Sequence, residues 1–330
     1  MRINEKLLHK LLQTFGPSGN EELICQVIRE EIKDCVDEIK IDQMGNLIGI
    51  KKGNGKKIMI ASHMDEIGII ATGIDDHGFI RFSNIGGVSP NVSLGQRVRF
   101  KNGTTGVIYM ESLDHIKDLK LEKMYIDIGV DSKEKAQKKI NIGDVACFDR
   151  SSSIHEDVIV SKALDDRIAC YIAIETLKQL KNSRHELYFV FTVQEELGLR
   201  GAKTAAFGID PDLAIAVDVT GTGDTPKSKP MAVSLRKGPA IKIKDNSIIC
   251  HPFVKNLLID TAKEYNIPYQ LEVLTHGGTD IGAIHTSRSG VPSGAISIPC
   301  RYIHSPSEMV SQSDVKNAIL LLSKVLEKEI

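Results

Sequence analysis

Residues 186–196 read ELYFVFTVQEE, an apolar run of strand length that stops on two adjacent carboxylates, Glu195 and Glu196. A strand with one face in water alternates apolar and polar residues, whereas a strand covered on both faces is apolar nearly throughout. The run therefore predicts an interior strand of a sheet with helices on both sides. Other segments are built the same way. KKIMIAS (56–62) runs into His63-Met64-Asp65-Glu66, DLAIAV (212–217) runs into Asp218, and His304 lies just beyond GAISIP (294–299). Helical periodicity marks 3–15, 21–35, 165–180, 251–266 and 313–328. Ser18 and Glu21 have capping-box spacing for the second of these, and Ser313 or Asp314 is placed to cap the last.

Between these parts the texture changes. Gly punctuates short alternating segments such as GFIRFSNIGG (78–87), QRVRFKNG (96–103), TGVIYM (105–110) and GDVACFD (143–149), and helical periodicity nearly disappears. This reads as a small all-β barrel or sandwich, of which the barrel is preferred. Its charged stretch KDLKLEK (117–123) reads as a solvated loop or flap. The fold expected is α/β: a mostly parallel sheet flanked by helices, formed by residues 1–70 and 156–330, with a β-barrel domain at 71–155 inserted into it.

Composition narrows the functional classes. The 330 residues are 42% hydrophobic with a formal net charge of −1, which gives no electrostatic reason to expect nucleic acid or an anionic membrane as partner. The segment MRINEKLLHKLLQTFG lacks the long apolar stretch of a signal peptide, and no window is apolar enough for a transmembrane helix. Six scattered cysteines without a CxxC pair read as reduced thiols, so a cytoplasmic location is expected.

Ligand sites in open α/β sheets form at the carboxyl ends of the strands. His63, Asp65, Glu195, Glu196, Asp218 and His304 all follow strand-like runs, and Asp165-Asp166 opens a helix. Taken singly, a histidine is readily satisfied in a core, Asp165 suits a helix N-cap, Glu195-Glu196 suits solvated surface and Asp218 suits a turn. Their recurrence at strand ends points instead to a site for borderline divalent metals such as Zn or Co. In His63-x-Asp65 the two side chains point the same way if the segment is extended, so Asp65 can accept the second ring N–H of His63. Glu195 and Glu196 would point apart in an extended chain, leaving one to bind metal and the other to act as a base. Asp165 has two oxygens and can bridge two metals.

These motifs, SHMDEIG (62–68), KALDDR (162–167), QEELGLRGA (194–202), AVDVT (216–220), HGGTDIGAIH (276–285) and RYIHSPSE (301–308), resemble in content and order those of the tetrahedral (TET) dinuclear metallo-aminopeptidases. Members of that family are named glutamyl or deblocking aminopeptidase and, misleadingly, cellulase or endoglucanase. The resemblance spans nearly the whole chain. It implies two divalent ions (Zn or Co) per subunit held by His63, Asp165, Glu196, Asp218 and His304, with Asp165 bridging. It also implies Glu195 as general base, Asp65 as the group orienting His63, and a cis Asp165–Asp166 bond. The implied reaction is removal of N-terminal residues from peptides through a metal-bridging hydroxide. The inserted domain resembles an oligomerisation domain, implying a homo-oligomer between dimer and dodecamer. Ile281 and Cys300 depart from the family's usual residues and bear on pocket shape. His251, His276 and His285 receive no role, and 276–285 is either substrate-shaping or a Gly-rich helix entry.

Three rival functions are weighed. A glycoside hydrolase would use two carboxylates without metal and aromatic platforms, but the chain has no Trp and 5% aromatics. A non-catalytic scaffold would not need every candidate ligand and base in place. A carboxypeptidase or amidohydrolase of related chemistry differs in acting on N-blocked substrates.

Overall fold

The computed structural model describes residues 2–181 and 183–330. Its larger sheet runs in the order Glu38–Ile41, Leu47–Lys51, Glu186–Thr192, Lys57–His63, Leu213–Thr220, Ser293–Arg301, Glu308–Ser311, Val158–Ser161, Ser153–His155. Ala240–Lys244 and Gln270–Val273 join it through Ser293–Arg301. The four central strands, from Glu186–Thr192 to Ser293–Arg301, are mutually parallel. Both wings are antiparallel, made by short strands whose few residues carry little pattern. Because the centre is parallel, the polar residues that end its strands all emerge at one edge.

The two faces of the sheet are packed differently. On one, Ile58, Ile60, Phe189, Phe191, Ile215 and Val217 join a core with the helices Glu5–Gln13, Glu22–Ile32, Leu164–Gln179, Pro252–Glu264 and Gln312–Glu327. On the other, Met59, Ala61, Val190, Ala214 and Ala216 pack with Ala202, Ala205 and Ala206 of Arg200–Ile209 and with Ile281 and Ile284. Successive residues of each strand enter opposite cores, and burial of both faces is what produces the unbroken apolar runs of the sequence.

The strands Gly68–Ile74, Ile80–Ile85, Met124–Asp127, Thr105–Met110, Arg97–Phe100 and Val145–Phe148 close into a separate barrel in that order. It has its own core, including Ile69, Ile80, Phe82, Val98, Phe100, Ile108 and Ile126. The charged stretch 117–123 is less free than its composition suggests. It forms two short 3-10 turns, and Leu119 between them is buried in the barrel core. No helix among the described residues is long and apolar enough to cross a membrane.

Two capping expectations are corrected. The last helix is capped by Ser311, whose side chain accepts from the Ser313 N–H, while Asp314 accepts instead from the N–H groups of Arg236 and Gly238. The Ser18–Glu21 box does not form, and the helix Glu22–Ile32 has no side-chain cap. Both residues are drawn to the edge where the parallel strands end.

Candidate active site

His63 closes its strand, and Asp218 stands two residues before the end of Leu213–Thr220. Glu195 and Glu196 lie in the turn after Glu186–Thr192, and His304 lies in the turn between Ser293–Arg301 and Glu308–Ser311. Asp165 enters from the head of Leu164–Gln179. These six line one cavity of about 520 Å³, and no lysine or arginine lines it.

Nε2 of His63 is 3.0 Å from Oδ1 of Asp165, and Nε2 of His304 is 3.3 Å from Oδ2 of the same carboxylate. Asp218 Oδ1 lies 4.0 Å from the His63 nitrogen, and Glu196 Oε1 lies 3.0 Å from the His304 nitrogen. Asp165 therefore turns one oxygen to each of two clusters, His63 with Asp218 and His304 with Glu196. Glu196 Oε1 is buried without a hydrogen-bond donor in line with it, although His304 is so near. Imidazole nitrogens and carboxylate oxygens converging on common points suit a cation. Ligand-capable atoms of His63, Asp165 and Glu196 lie within 4.8 Å of one another, as do those of His63, Asp166 and Asp218. Asp166 is fully buried, does not line the cavity, and accepts from the His63 N–H at 3.3 Å.

The helix-cap reading of Asp165 does not hold. The cap position belongs to Ala163, Asp165 and Asp166 both leave helical geometry, and the bond between them is cis. The extended reading of Glu195-Glu196 is also corrected. Gln194 takes a left-handed backbone with φ 54°, and the pair sits in a turn, so both carboxylates enter the same cavity. What separates them is the imidazole each approaches: Glu195 Oε2 is 4.0 Å from His63, and Glu196 is beside His304.

Asp65 faces His63, with Oδ1 3.4 Å and its backbone oxygen 3.2 Å from Nδ1. It also does something the sequence did not suggest. Its carboxylate accepts from the backbone N–H of Glu195 (3.1 Å), the backbone N–H of Glu196 (3.3 Å) and the Ser18 hydroxyl (2.6 Å). Glu21 supports the same turn by accepting from the Gln194 N–H. The Ser-x-x-Glu spacing that looks like a helix cap is in fact part of the scaffold under the site. Asp280 was missed too. It accepts from the Thr192 hydroxyl at 2.5 Å, and its second oxygen is buried without a partner. Of the 276–285 segment, His276, Gly277 and Gly278 line the cavity and Ile281–Ile284 is a short helix.

The electrostatics follow from this crowding. Burial raises the carboxyls of Glu195 and Asp218 well above the carboxylate range, with neighbouring carboxylates adding to the rise and His63 opposing it. Burial would raise Asp165 as well, but hydrogen bonds from His304 and His63 hold it below its ordinary value. Burial would lower the His304 imidazole, yet Asp165 and Glu196 push it up to about 11. The site stabilises positive charge.

The segment that leaves the barrel strand Ile80–Ile85 packs against two of these side chains. A Cβ at Gly87 would collide with Nδ1 of His304, and one at Gly86, where φ is +72°, would come within 2.9 Å of Oε2 of Glu196. Gly87→Ala is expected to displace the His304 ring and lower turnover, by up to about 10²-fold for a shift near 1 Å. Steady-state hydrolysis of an aminoacyl p-nitroanilide alongside a melting curve checks this, and unchanged turnover would mean that the ring has room to move.

A family model described as M42 glutamyl aminopeptidase matches residues 45–321. The chain belongs to this M42 family. A protein of Acetivibrio thermocellus that carries an aminopeptidase name is 60% identical over 321 residues, covering 97% of each chain. The structure of aminopeptidase APDkam598 from the archaeon Desulfurococcus kamchatkensis is 42% identical with a TM-score of 0.95, over 98% of this chain and 94% of that one. The Pyrococcus horikoshii TET1 peptidase, described as assembling into a tetrahedron or a large octahedral shell, is 32% identical with a TM-score of 0.89, over 98% and 99%. The M42 chain is thus a metallo-aminopeptidase, a hydrolase. The α/β sheet with a closed barrel is the architecture of these relatives.

Proposed function

We propose that this M42 enzyme works with two divalent ions, one held by His63, Asp165 and Asp218 and the other by His304, Asp165 and Glu196. The observation that carries the reading is the division of the Asp165 carboxylate between two imidazoles, 3.0 and 3.3 Å away. The donors are nitrogen and oxygen without thiolate, which suits Zn or Co. Such ions, when bound, would polarise the scissile carbonyl and acidify the attacking water.

The chain's own groups do the rest. Glu195 is the base: its buried carboxylate takes the proton of the attacking water and passes it to the leaving amine. Asp65 keeps the His63 ring turned so that Nε2 faces the cavity. Thr220–Gly221, Asn246–Ser247 and Leu274 form walls against which the first side chain of a peptide would lie. The aminopeptidase names of the relatives support peptides with a free N-terminus as substrates. EDTA or phenanthroline is expected to abolish hydrolysis of aminoacyl p-nitroanilides, and added Zn or Co to restore it. Full activity in protein shown to be metal-free would end this reading.

We also propose that the barrel mediates homo-oligomer formation. Its exposed apolar side chains, Val107, Tyr109 and Ile142, are larger than a small domain's own core can cover, and the TET1 peptidase is an assembly. Light scattering is expected to give a multiple of 36.3 kDa, up to a dodecamer. A monomer under both metal-free and metal-loaded conditions would overturn the proposal.

A further inference from the structure

Asp165 and His304 both stand on irregular backbone. Asp165 departs from helical geometry at the head of its helix. His304 lies in a turn where Tyr302 and His304 itself take left-handed φ of 62° and 60°, a conformation that side-chain-bearing residues adopt only when their surroundings impose it. The His304 side chain is 35% exposed, so packing alone does not fix it. One buried carboxylate reaches both backbones. Glu308 accepts from the Asp165 N–H through Oε2 and from the His304 N–H through Oε1, each at 2.9 Å. It is 2% exposed and does not line the cavity. It opens the strand Glu308–Ser311, which pairs with Val158–Ser161 with Glu308 opposite Ser161, so its own position is set by the sheet.

We infer that Glu308 is a positioning residue that fixes the distance between Asp165 and His304 and so sets the spacing of the second ion's donors. The inference rests on the two-ion reading above. The first cluster depends on it less. His63 and Asp218 are carried by paired parallel strands, and Oδ1 of Asp165 is already bonded to the buried His63 ring. Oδ2 faces the half-buried His304 ring, 3.3 Å away, which a turn and not a paired strand carries. In Glu308→Gln the side chain keeps its shape but presents an NH2 to one of the two N–H donors, so one of the paired bonds is lost.

The test is stepwise metal binding. Metal-free wild type and Glu308→Gln are titrated with Zn²⁺ against a chromophoric competitor, with ions counted by native mass spectrometry. Wild type should bind two ions. In Glu308→Gln one constant should fall about 10–100-fold, and the other should change by less than about threefold. In a His304→Ala background, which removes the second site, adding Glu308→Gln should leave the remaining constant unchanged. Equal loss of both constants, or loss of neither, would overturn the positioning role while leaving two ions in wild type. A wild type that binds a single ion would overturn the two-ion reading and this inference with it. Should Glu308→Gln fail to fold by its metal-free melting curve, Glu308→Asp, too short to reach both donors, carries the same expectation.

Discussion

Glu195→Gln is expected to lower kcat by about 10²–10⁴-fold, the usual worth of general acid–base catalysis, while leaving fold and metal content unchanged. The amide is isosteric and the turn that carries it is held by its backbone: the Glu195 N–H is bonded to Asp65, and that bond survives the substitution. KM should move less than kcat, because the proposed role is that of a proton acceptor and not of a binding contact. Glu196→Gln should behave in the opposite way. Its Oε1 is beside the His304 nitrogen and has no hydrogen-bond donor in line with it, so the loss should fall on metal occupancy and added Zn or Co should partly restore activity. Neighbouring residues of the same chemistry are thereby separated by two readouts, ion stoichiometry and turnover. If Glu195→Gln lost an ion while Glu196→Gln kept two and lost only rate, the two roles would have to be exchanged.

Asp65→Asn is expected to cost more than the about 10–100-fold typical of a carboxylate that only orients a metal-binding imidazole. Asp65 faces His63 Nδ1 and also accepts from both backbone N–H groups of the Glu195-Glu196 turn. Whichever oxygen becomes NH2, one of those N–H groups meets a donor. A buried N–H left without an acceptor costs about 1–3 kcal/mol. The turn would then shift, and with it both the proposed base and a proposed ligand. Ser18→Ala is the control. It removes only one of the donors to Asp65, leaves both backbone bonds, and should reduce turnover far less. Comparable losses in the two variants would show that Asp65 acts through the hydroxyl and not through the turn.

Much of this architecture was legible because its signals are local. An apolar run such as 186–193 announces a doubly covered strand by itself, and a polar residue at its end marks the edge where sites form. The barrel was legible through its Gly-punctuated alternation. The conformation of Glu195-Glu196 was not, because it turns on the left-handed Gln194, a residue type that gives no notice of positive φ. The undersides of the site were not legible either. Ser18 meets Asp65 across 47 residues, and Glu308 meets Asp165 across 143. A carboxylate that accepts from a distant backbone N–H leaves no periodicity and no fixed spacing, since any residue but proline can be its donor. Ser18 and Glu21 show the hazard, with a spacing that fits a helix cap while the side chains serve something else.

The order in which the chain supplies its candidate ligands governs when the enzyme can first act. His63 precedes the barrel, Asp165 and Asp218 follow it, and the second imidazole comes only after Ser293–Arg301, a strand that must find Leu213–Thr220 before His304 can reach Asp165. Contacts between such distant stretches form late compared with helices and hairpins. On the proposed ligand set, a half-made or half-folded polypeptide would carry fragments of a hydrolytic centre and no centre, and would leave the peptides around it uncut until its sheet had closed.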